Sequence, residues 1–320
     1  MLPAVGIPRY VRVNTLIRSI EDVIVVTPDS YQAFLQSVSN LPEDHFIQDL
    51  HMKELLIFPK RTEFFYHHLY QDGSIFLQNK SSLLPVYLLD PCPNSVVLDM
   101  CAAPGMKTTH IAAKIKNKGT IYAVEKNPNR YETLCELVQK SGAISVKTIR
   151  NDALMVDSSI CPFVEYILVD PTCSGTEEKC SSERLQGLAS FQVILLEHAL
   201  SKFPDVKRVV YSTCSLNVEE NEEVVEKALS HTKANRSNPQ FRLASNLLKG
   251  SWVNRGSTHY QHGAHTLYAR PETDLTNGVK YLDASRFFWQ AVCLERGQLN
   301  LLSSNEEPLE LKSSGFGLGN

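Results

Sequence analysis

The chain has 320 residues, 43% of them hydrophobic and 21% charged, with 15 Gly and 16 Pro, which fits an ordinary folded protein and excludes collagen-like, low-complexity and disordered classes. A formal net charge of -3 excludes a global electrostatic case for a polyanionic partner, so any such partner must be met by a local patch. No apolar run is long enough to span a bilayer and MLPAVGIPRY lacks the pattern of a signal peptide, so a cytosolic or nuclear home is expected.

At the N-terminus, PRYVRVNTLIRS interleaves Val11, Val13 and Leu16 with Arg9, Arg12 and Arg18, predicting a strand with one cationic face. Because the chain starts almost inside this strand, a longer parent protein, cut or mis-started here, is expected. Residues 30–90 mix short helical and extended signals, and the clearest is a helix after Ser81-Ser82 in SSLLPVYLL. Residues 1–90 thus read as a small α+β subdomain. From residue 96 the pattern turns regular. Strands are predicted at VVLDM (96–100), TIYAVE (120–125), ISVKTIR (144–150), VEYILVD (164–170) and RVVYSTC (208–214), with helices to about 116, from Pro128 and over 183–203. This alternation implies βαβ units and a parallel sheet. EENEEVVEK (219–227) begins a further helix whose acids suit its N-terminal end, residues 232–262 are polar and irregular, and RFFWQAVCLER (286–296) reads as a closing strand. The main domain is expected over 91–297 and a frayed tail over 298–320.

Eight cysteines occur with no Cys-x-x-Cys pair and no clustered His, so no metal site is expected. The turn after the first regular strand, DMCAAPGMKT, is not a P-loop, because Met100 stands where Gly is required and Met106 separates Gly105 from Lys107. It is a loop of small residues opening onto a helix. Acids close four strands, Asp99, Glu125, Asp152 and Asp170, and each could be a mere turn former or cap. Together they favour a cofactor crevice. Glu125 is placed for a ribose diol, Asp152 for an adenine amino group and Asp170 for the methionine end of S-adenosylmethionine.

Cys173 lies just past the fourth of these strands and Cys214 ends the fifth, so a parallel sheet delivers both to one edge beside that crevice. A thiol near a methyl donor suggests a definite reaction. Cytosine C5 is a poor nucleophile until a thiolate adds to C6, and the addition needs charge relief at N3, which Asp170 could supply. Which of the two thiols attacks is not decided by their position.

The motifs DMCAAPGMKT, AVEKNPNR, NDA, ILVDPTCSGT and YSTCSLNVEEN, in this order, resemble those of the RsmB/Sun-domain family of RNA cytosine-5 methyltransferases, and PRYVRVNTL with IFLQNKSSLLP resembles its N-terminal motif. The resemblance covers about residues 8 to 296. It implies a Rossmann-like class I S-adenosylmethionine-dependent methyltransferase, with a mostly parallel seven-stranded sheet behind the small N-terminal subdomain. It also implies that Cys214 attacks cytosine, that Cys173 aids product release, and that Asp170 and Lys107 lie at the reacting centre. Cofactor contacts are implied for Cys101, Ala102, Ala103, Pro104, Gly105, Met106 and Lys107, and for Glu125, Arg130, Asp152 and Asp170. Two departures stand out: Thr172 replaces the second Pro of the usual Asp-Pro-Pro-Cys, loosening that loop, and Asn79 replaces an Asp. The non-Pro residue at 172, with LIFP and ARPET, resembles the eukaryotic branch acting on large-subunit ribosomal RNA. A nuclear, nucleolar location and association with pre-ribosomes follow as expectations.

RNA would then contact Arg9, Arg12 and Arg18, with Lys114, Lys116 and Lys118 and Lys202, Lys207 and Arg208 as further candidates. Phe64, Phe65 and Tyr66 could stack on a base or pack in the core. Rival readings are a transfer RNA cytosine-5 methyltransferase, an inactive cofactor-binding ribosome assembly factor, and an exocyclic amino methyltransferase.

Overall fold

The computed structural model describes residues 8–20, 41–42, 45–49, 51–175, 180–234, 241–244, 267–269 and 289–296. The tail expected at 298–320 and most of the irregular stretch 232–262 lie outside them.

Strands β1 (Arg9–Val13), β2 (Ile47–Gln48), β3 (Leu55–Phe58) and β4 (Ile75–Leu77) form an antiparallel sheet in the order β2-β3-β1-β4. A one-turn helix α1 (His68–Gln71) lies between β3 and β4, and helix α2 (Lys80–Leu89) follows. The expected cationic face of β1 is not there. Tyr10, Val11, Arg12 and Val13 are all buried, because β1 is an inner strand covered on both faces. The Arg12 side chain instead donates to Gln78 Oε1 at 2.6 Å and Thr109 Oγ1 at 2.9 Å, and its guanidinium lies 4.9 Å from the Phe76 ring centre.

The second sheet contains β5 (Val96–Asp99), β6 (Thr120–Val124), β7 (Val146–Ile149), β8 (Tyr166–Val169), β9 (Arg208–Thr213), β10 (Phe241–Leu243), β11 (Leu267–Ala269) and β12 (Trp289–Arg296). Its order is β10-β12-β9-β8-β5-β6-β7, with β11 sharing the outer edge of β12. The strands from β7 through β9 are parallel, and β12 runs antiparallel to β9. Neighbouring residues of one strand are buried on opposite faces, Val97 and Leu98 on β5 and Val209 and Val210 on β9, so these strands read as continuous apolar runs.

Helices α3 (Met106–Lys114) and α4 (Pro128–Lys140) cover one face with α2, and α5 (Ser182–Ser201) and α6 (Glu222–Ala234) cover the other. Helix α4 starts at a Pro in its first turn, capped by Asn127 accepting from the Arg130 amide at 3.1 Å. Helix α2 is a component of the large core: Leu83, Leu84, Leu88 and Leu89 cluster with Val97, Leu168 and Val210 and also with Tyr10, Leu55 and Ile57 of the small sheet. The acidic stretch after β9 also differs from the simple helix start expected. Val218–Glu220 is a 3-10 turn ahead of α6, and Glu220 and Glu222 are buried rather than facing water.

Candidate active site

The order β8-β5-β6 reverses direction at β5, so a crevice opens outside the carboxyl ends of these strands. It runs between Met100, Val124, Phe191 and Leu195 as apolar walls and Cys101, Glu125, Arg130 and Asp152 as polar ones. Asp152 answers both readings of a strand-end acid: Oδ1 caps the following 3-10 turn by accepting from the Leu154 amide at 3.0 Å, and Oδ2 stays on the crevice side 3.5 Å from Lys126 Nζ. Glu125 accepts from the Asn127 amide at 2.8 Å, and Arg130 spans from its carboxylate (3.3 Å) to the Ala103 carbonyl (2.8 Å), tying the small-residue loop to the tip of β6.

That loop is packed close. Ala102, Ala103 and Gly105 are buried and Pro104 is exposed. Gly105 has φ 107°, where a Cβ would lie 3.1 Å from Leu134 Cδ1 and 3.3 Å from Leu137 Cδ2, so the turn into α3 requires glycine. Of the residues expected at the cofactor, Cys101, Glu125, Arg130 and Asp152 line the crevice, while Ala102, Ala103, Pro104, Gly105, Met106, Lys107 and Asp170 do not line it. Lys126, Asn151, Phe191 and Leu195 line it without having been singled out, and so does Thr172, noted only as a departure from the usual Asp-Pro-Pro-Cys. The i, i+4 spacing of Phe191 and Leu195 reads as helix core, and only their position on α5 turns them toward the crevice. Asp99 is fully buried and accepts from Thr108 Oγ1 at 2.7 Å; burial raises its carboxyl to about 6. It supports the turn from inside.

Next to this crevice Lys107, in the first turn of α3, donates to Asp170 Oδ2 at 2.7 Å, and Ser212 Oγ donates to Asp170 Oδ1 at 2.8 Å. Cys173 and Cys214 meet with their sulfurs 3.0 Å apart. The pair titrates unequally. The Cys173 thiol is driven up by its hydrogen bond to Cys214 and by burial, and the Cys214 thiol is drawn down chiefly by that same bond, with Lys107 assisting. Either sulfur can donate in this geometry, and the two opposite shifts favour Cys214 as the acceptor and the more acidic thiol of the pair. Cys101, by contrast, is pushed well up by desolvation and by Asp99, Asp170 and Glu125, so it is no rival nucleophile.

A polar scaffold that motif reading did not find joins the two thiol loops. The buried Glu220 carboxylate accepts from the Ser174 amide at 3.0 Å, from Ser174 Oγ, and from Gln192 Nε2 at 2.9 Å. Ser174 Oγ lies 3.0 Å from Ser215 Oγ, and Asn217 donates to Ser174 Oγ at 2.8 Å. Gln192 Nε2 also reaches the Thr172 carbonyl at 3.0 Å, so a side chain supplies the restraint that a second proline would have given. Glu220 sits in the EEN run, whose acids read as complementing a helix start; no local pattern signals that it is aimed inward.

The fold and these strand-end groups define a class I S-adenosylmethionine-dependent methyltransferase, and the crevice suits that cofactor, with acids at its polar end and apolar side chains along its walls. The family described as 16S rRNA methyltransferase RsmB/F matches residues 86–262, and the NOL1/NOP2/Sun domain family member 5 ferredoxin-like domain matches residues 7–78. The chain belongs to the RsmB/F family of rRNA methyltransferases. It is 41% identical over 298 residues to a 28S rRNA (cytosine-C(5))-methyltransferase of Drosophila melanogaster, covering 85% of this chain and 67% of that protein. With the enzyme of the same description from Mus musculus it shares 42% over 294 residues, 86% of this chain and 62% of the relative. This chain therefore spans about two thirds of such relatives. A solved methyltransferase homologue from Pyrococcus horikoshii shares the fold at TM-score 0.69 and 23% identity, over 91% of this chain and 87% of its own.

Proposed function

We propose that this protein methylates C5 of a cytosine in large-subunit ribosomal RNA, with Cys214 as nucleophile and Cys173 as the group that aids release. The observation that carries the reading is the unequal thiol pair, 3.0 Å apart at the ends of adjacent strands beside Asp170 and Lys107. The printed activity of the Drosophila and mouse relatives supports the choice of RNA. A nucleolar location and association with pre-ribosomal particles belong to the same proposal, with residues 1–90 as an RNA-contacting subdomain.

The target base must leave its stack to reach Cys214. The Cys214 thiolate forms a bond to C6, the C5–C6 electron pair moves toward N3, and the Asp170–Lys107 pair brings a proton to N3. Glu125 would hold the ribose and Asp152 the adenine of S-adenosylmethionine, which would supply an electrophilic methyl group. After C5 has taken the methyl group, its proton passes to water, the C5–C6 double bond re-forms as the Cys214–C6 bond breaks, the N3 proton returns to the Asp170–Lys107 pair, and Cys173, 3.0 Å from Cys214, stabilises the departing thiolate by a hydrogen bond. Glu220 and Gln192 hold the two loops in register for both steps.

RNA carrying 5-azacytidine tests the reading, because a working nucleophile becomes trapped on it. Wild type should form a denaturation-resistant protein–RNA adduct and Cys214→Ala should form none. Full adduct formation by Cys214→Ala overturns the proposal.

A further inference from the structure

We infer that the loop joining β3 to α1, residues 59–66, is a stacking site for an unpaired base of the substrate RNA, with Phe65 and Tyr66 as the platform and Lys60 and Arg61 on the phosphates. This rests on the RNA-methyltransferase reading above and deepens it by assigning where flanking single-stranded RNA is held.

Three adjacent aromatics occupy this loop and only one is used by the core. Phe64 is buried at 7% exposure and meets the Phe58 ring edge-on with centroids 4.9 Å apart, while Phe58 stacks on Phe46 at 5.0 Å. Phe65 and Tyr66 stand 64% and 89% exposed, their rings in an edge-on pair at 5.0 Å. The loop that displays them is anchored. Thr62 donates to the Pro59 carbonyl through its amide at 3.1 Å and its hydroxyl at 2.9 Å, the His67 amide donates to the Phe64 carbonyl at 2.9 Å, and Gln71 donates to the Phe65 carbonyl. Two large exposed rings on a fixed backbone are pre-organised to receive a flat partner at little cost in conformational entropy.

Charge selects the partner. Lys60 and Arg61 are exposed and, among the described residues, make no ion pair. Arg9 lies opposite Phe58 in the β1–β3 ladder and so joins them at this end of the small sheet, against the single acid of the loop, Glu63. Cations beside exposed aromatics are the composition that binds single-stranded nucleic acid: every base offers a π-face and every nucleotide a phosphate.

Topology puts the loop on the side of the chemistry. The carbonyls of Leu88 and Leu89, at the end of α2, accept from Arg208 at the amino end of β9, so α2 starts toward the carboxyl ends of the large sheet. Strand β4 runs into that start, and β3 points the same way because both are antiparallel to β1. The chain therefore leaves Phe58 on the side where Cys214 and Asp170 lie.

The test is fluorescence anisotropy of the full chain with a fluorescein-labelled oligocytidine and with an RNA duplex of equal length. Replacing both rings, Phe65→Ala with Tyr66→Ala, should weaken single-strand binding by about tenfold or more and leave duplex binding nearly unchanged. Phe65→Tyr with Tyr66→Phe should bind as wild type, whereas Phe65→Leu with Tyr66→Leu should not. Lys60→Gln with Arg61→Gln should lower the slope of log affinity against log salt by about 1.4, which the ring variants should leave alone. Unchanged binding by the alanine pair overturns the site, and rescue by the leucine pair does so in favour of an apolar protein partner. Trapping on 5-azacytidine RNA, run in parallel, separates the two levels of the argument. A wild type that forms no adduct defeats the methyltransferase reading, while an adduct-forming protein whose alanine pair binds normally defeats only the stacking site.

Discussion

Helix α3 serves two buried cation networks with opposite uses. At its start Lys107 holds Asp170 at 2.7 Å on the edge of the catalytic crevice, next to two thiols and Ser212. One turn on, Thr109 and His110 face the small sheet, where Thr109 accepts from Arg12, His110 Nε2 lies 2.9 Å from Glu54 Oε1, and Tyr87 donates to Glu54 Oε2 at 2.9 Å. Burial lowers the Arg12 guanidinium to about 9 and keeps His110 neutral with a pKa near about 4, while hydrogen bonding to His110 and Tyr87 carries Glu54 down to about 2 against the opposing effect of its own burial. The difference lies in what surrounds each pair. The first adjoins the two thiols of Cys173 and Cys214; the second borders a cleft with Asp90, Lys114 and Lys116, holds no thiol at its polar groups, and through Gln78 and Tyr87 joins the two layers. A buried charge thus points to chemistry only where it also meets a group that can react, since a cleft beside it is common to both networks.

The sharpest break of this comparison is Cys214→Ala, expected to lower turnover by on the order of 10⁴-fold or more while cofactor affinity measured by calorimetry stays near wild type. Cys173→Ala should instead accumulate RNA adduct on gels, and adduct formation by Cys214→Ala in its place would show the two roles reversed. The same variant sharpens the thiol argument: without the Cys173 donor the Cys214 thiol should rise, so its alkylation by iodoacetamide should move to higher pH. On the structural side, Arg12→Ala should cost about 3 kcal/mol by opening a cavity and orphaning Gln78 and Thr109, seen as a lower Tm with kcat per folded molecule unchanged. An unaltered Tm with weakened RNA binding would return Arg12 to the surface role that its sequence suggested.

The smallest effect is on pH. His110 has its folded value near about 4, below the ordinary 6.5, so the unfolded chain binds more protons in that window and stability falls as pH drops from 6.5 toward 4. Glu54, lowered from 4.5 to about 2, extends the loss below that, its contribution being present above 4.5 and gone once pH passes through about 2. Urea midpoints of His110→Gln should flatten between pH 6.5 and 4, and a slope equal to wild type would remove His110 from the account.

What the sequence disclosed follows the same division. The carboxyl edge was legible because each candidate group there lies at or just past a strand end: Glu125, Asp152, Asp170, Cys173 and Cys214 follow successive parallel strands. Arg12 was misread because alternation in RYVRV shows two faces but not that both are covered once β3 and β4 flank the strand. Glu220 escaped because its partners Ser174 and Gln192 are 46 and 28 residues away, beyond any local periodicity. Phe64 to Tyr66 show the limit most simply, since three like residues divide into one core ring and two exposed rings by loop geometry alone.

Helix α2 has a consequence for how the molecule can be taken apart. One side of it beds into the strands that form the floor of the crevice, and its neighbours Tyr10, Leu55 and Ile57 come from the small sheet, so a single slab of hydrocarbon runs through both layers. Trimming the chain just after Leu89 would strip the lid from β8 and β9 as well as remove the N-terminal layer. A cut ahead of Lys80 would leave that lid in place, and soluble expression of the two truncations should differ accordingly.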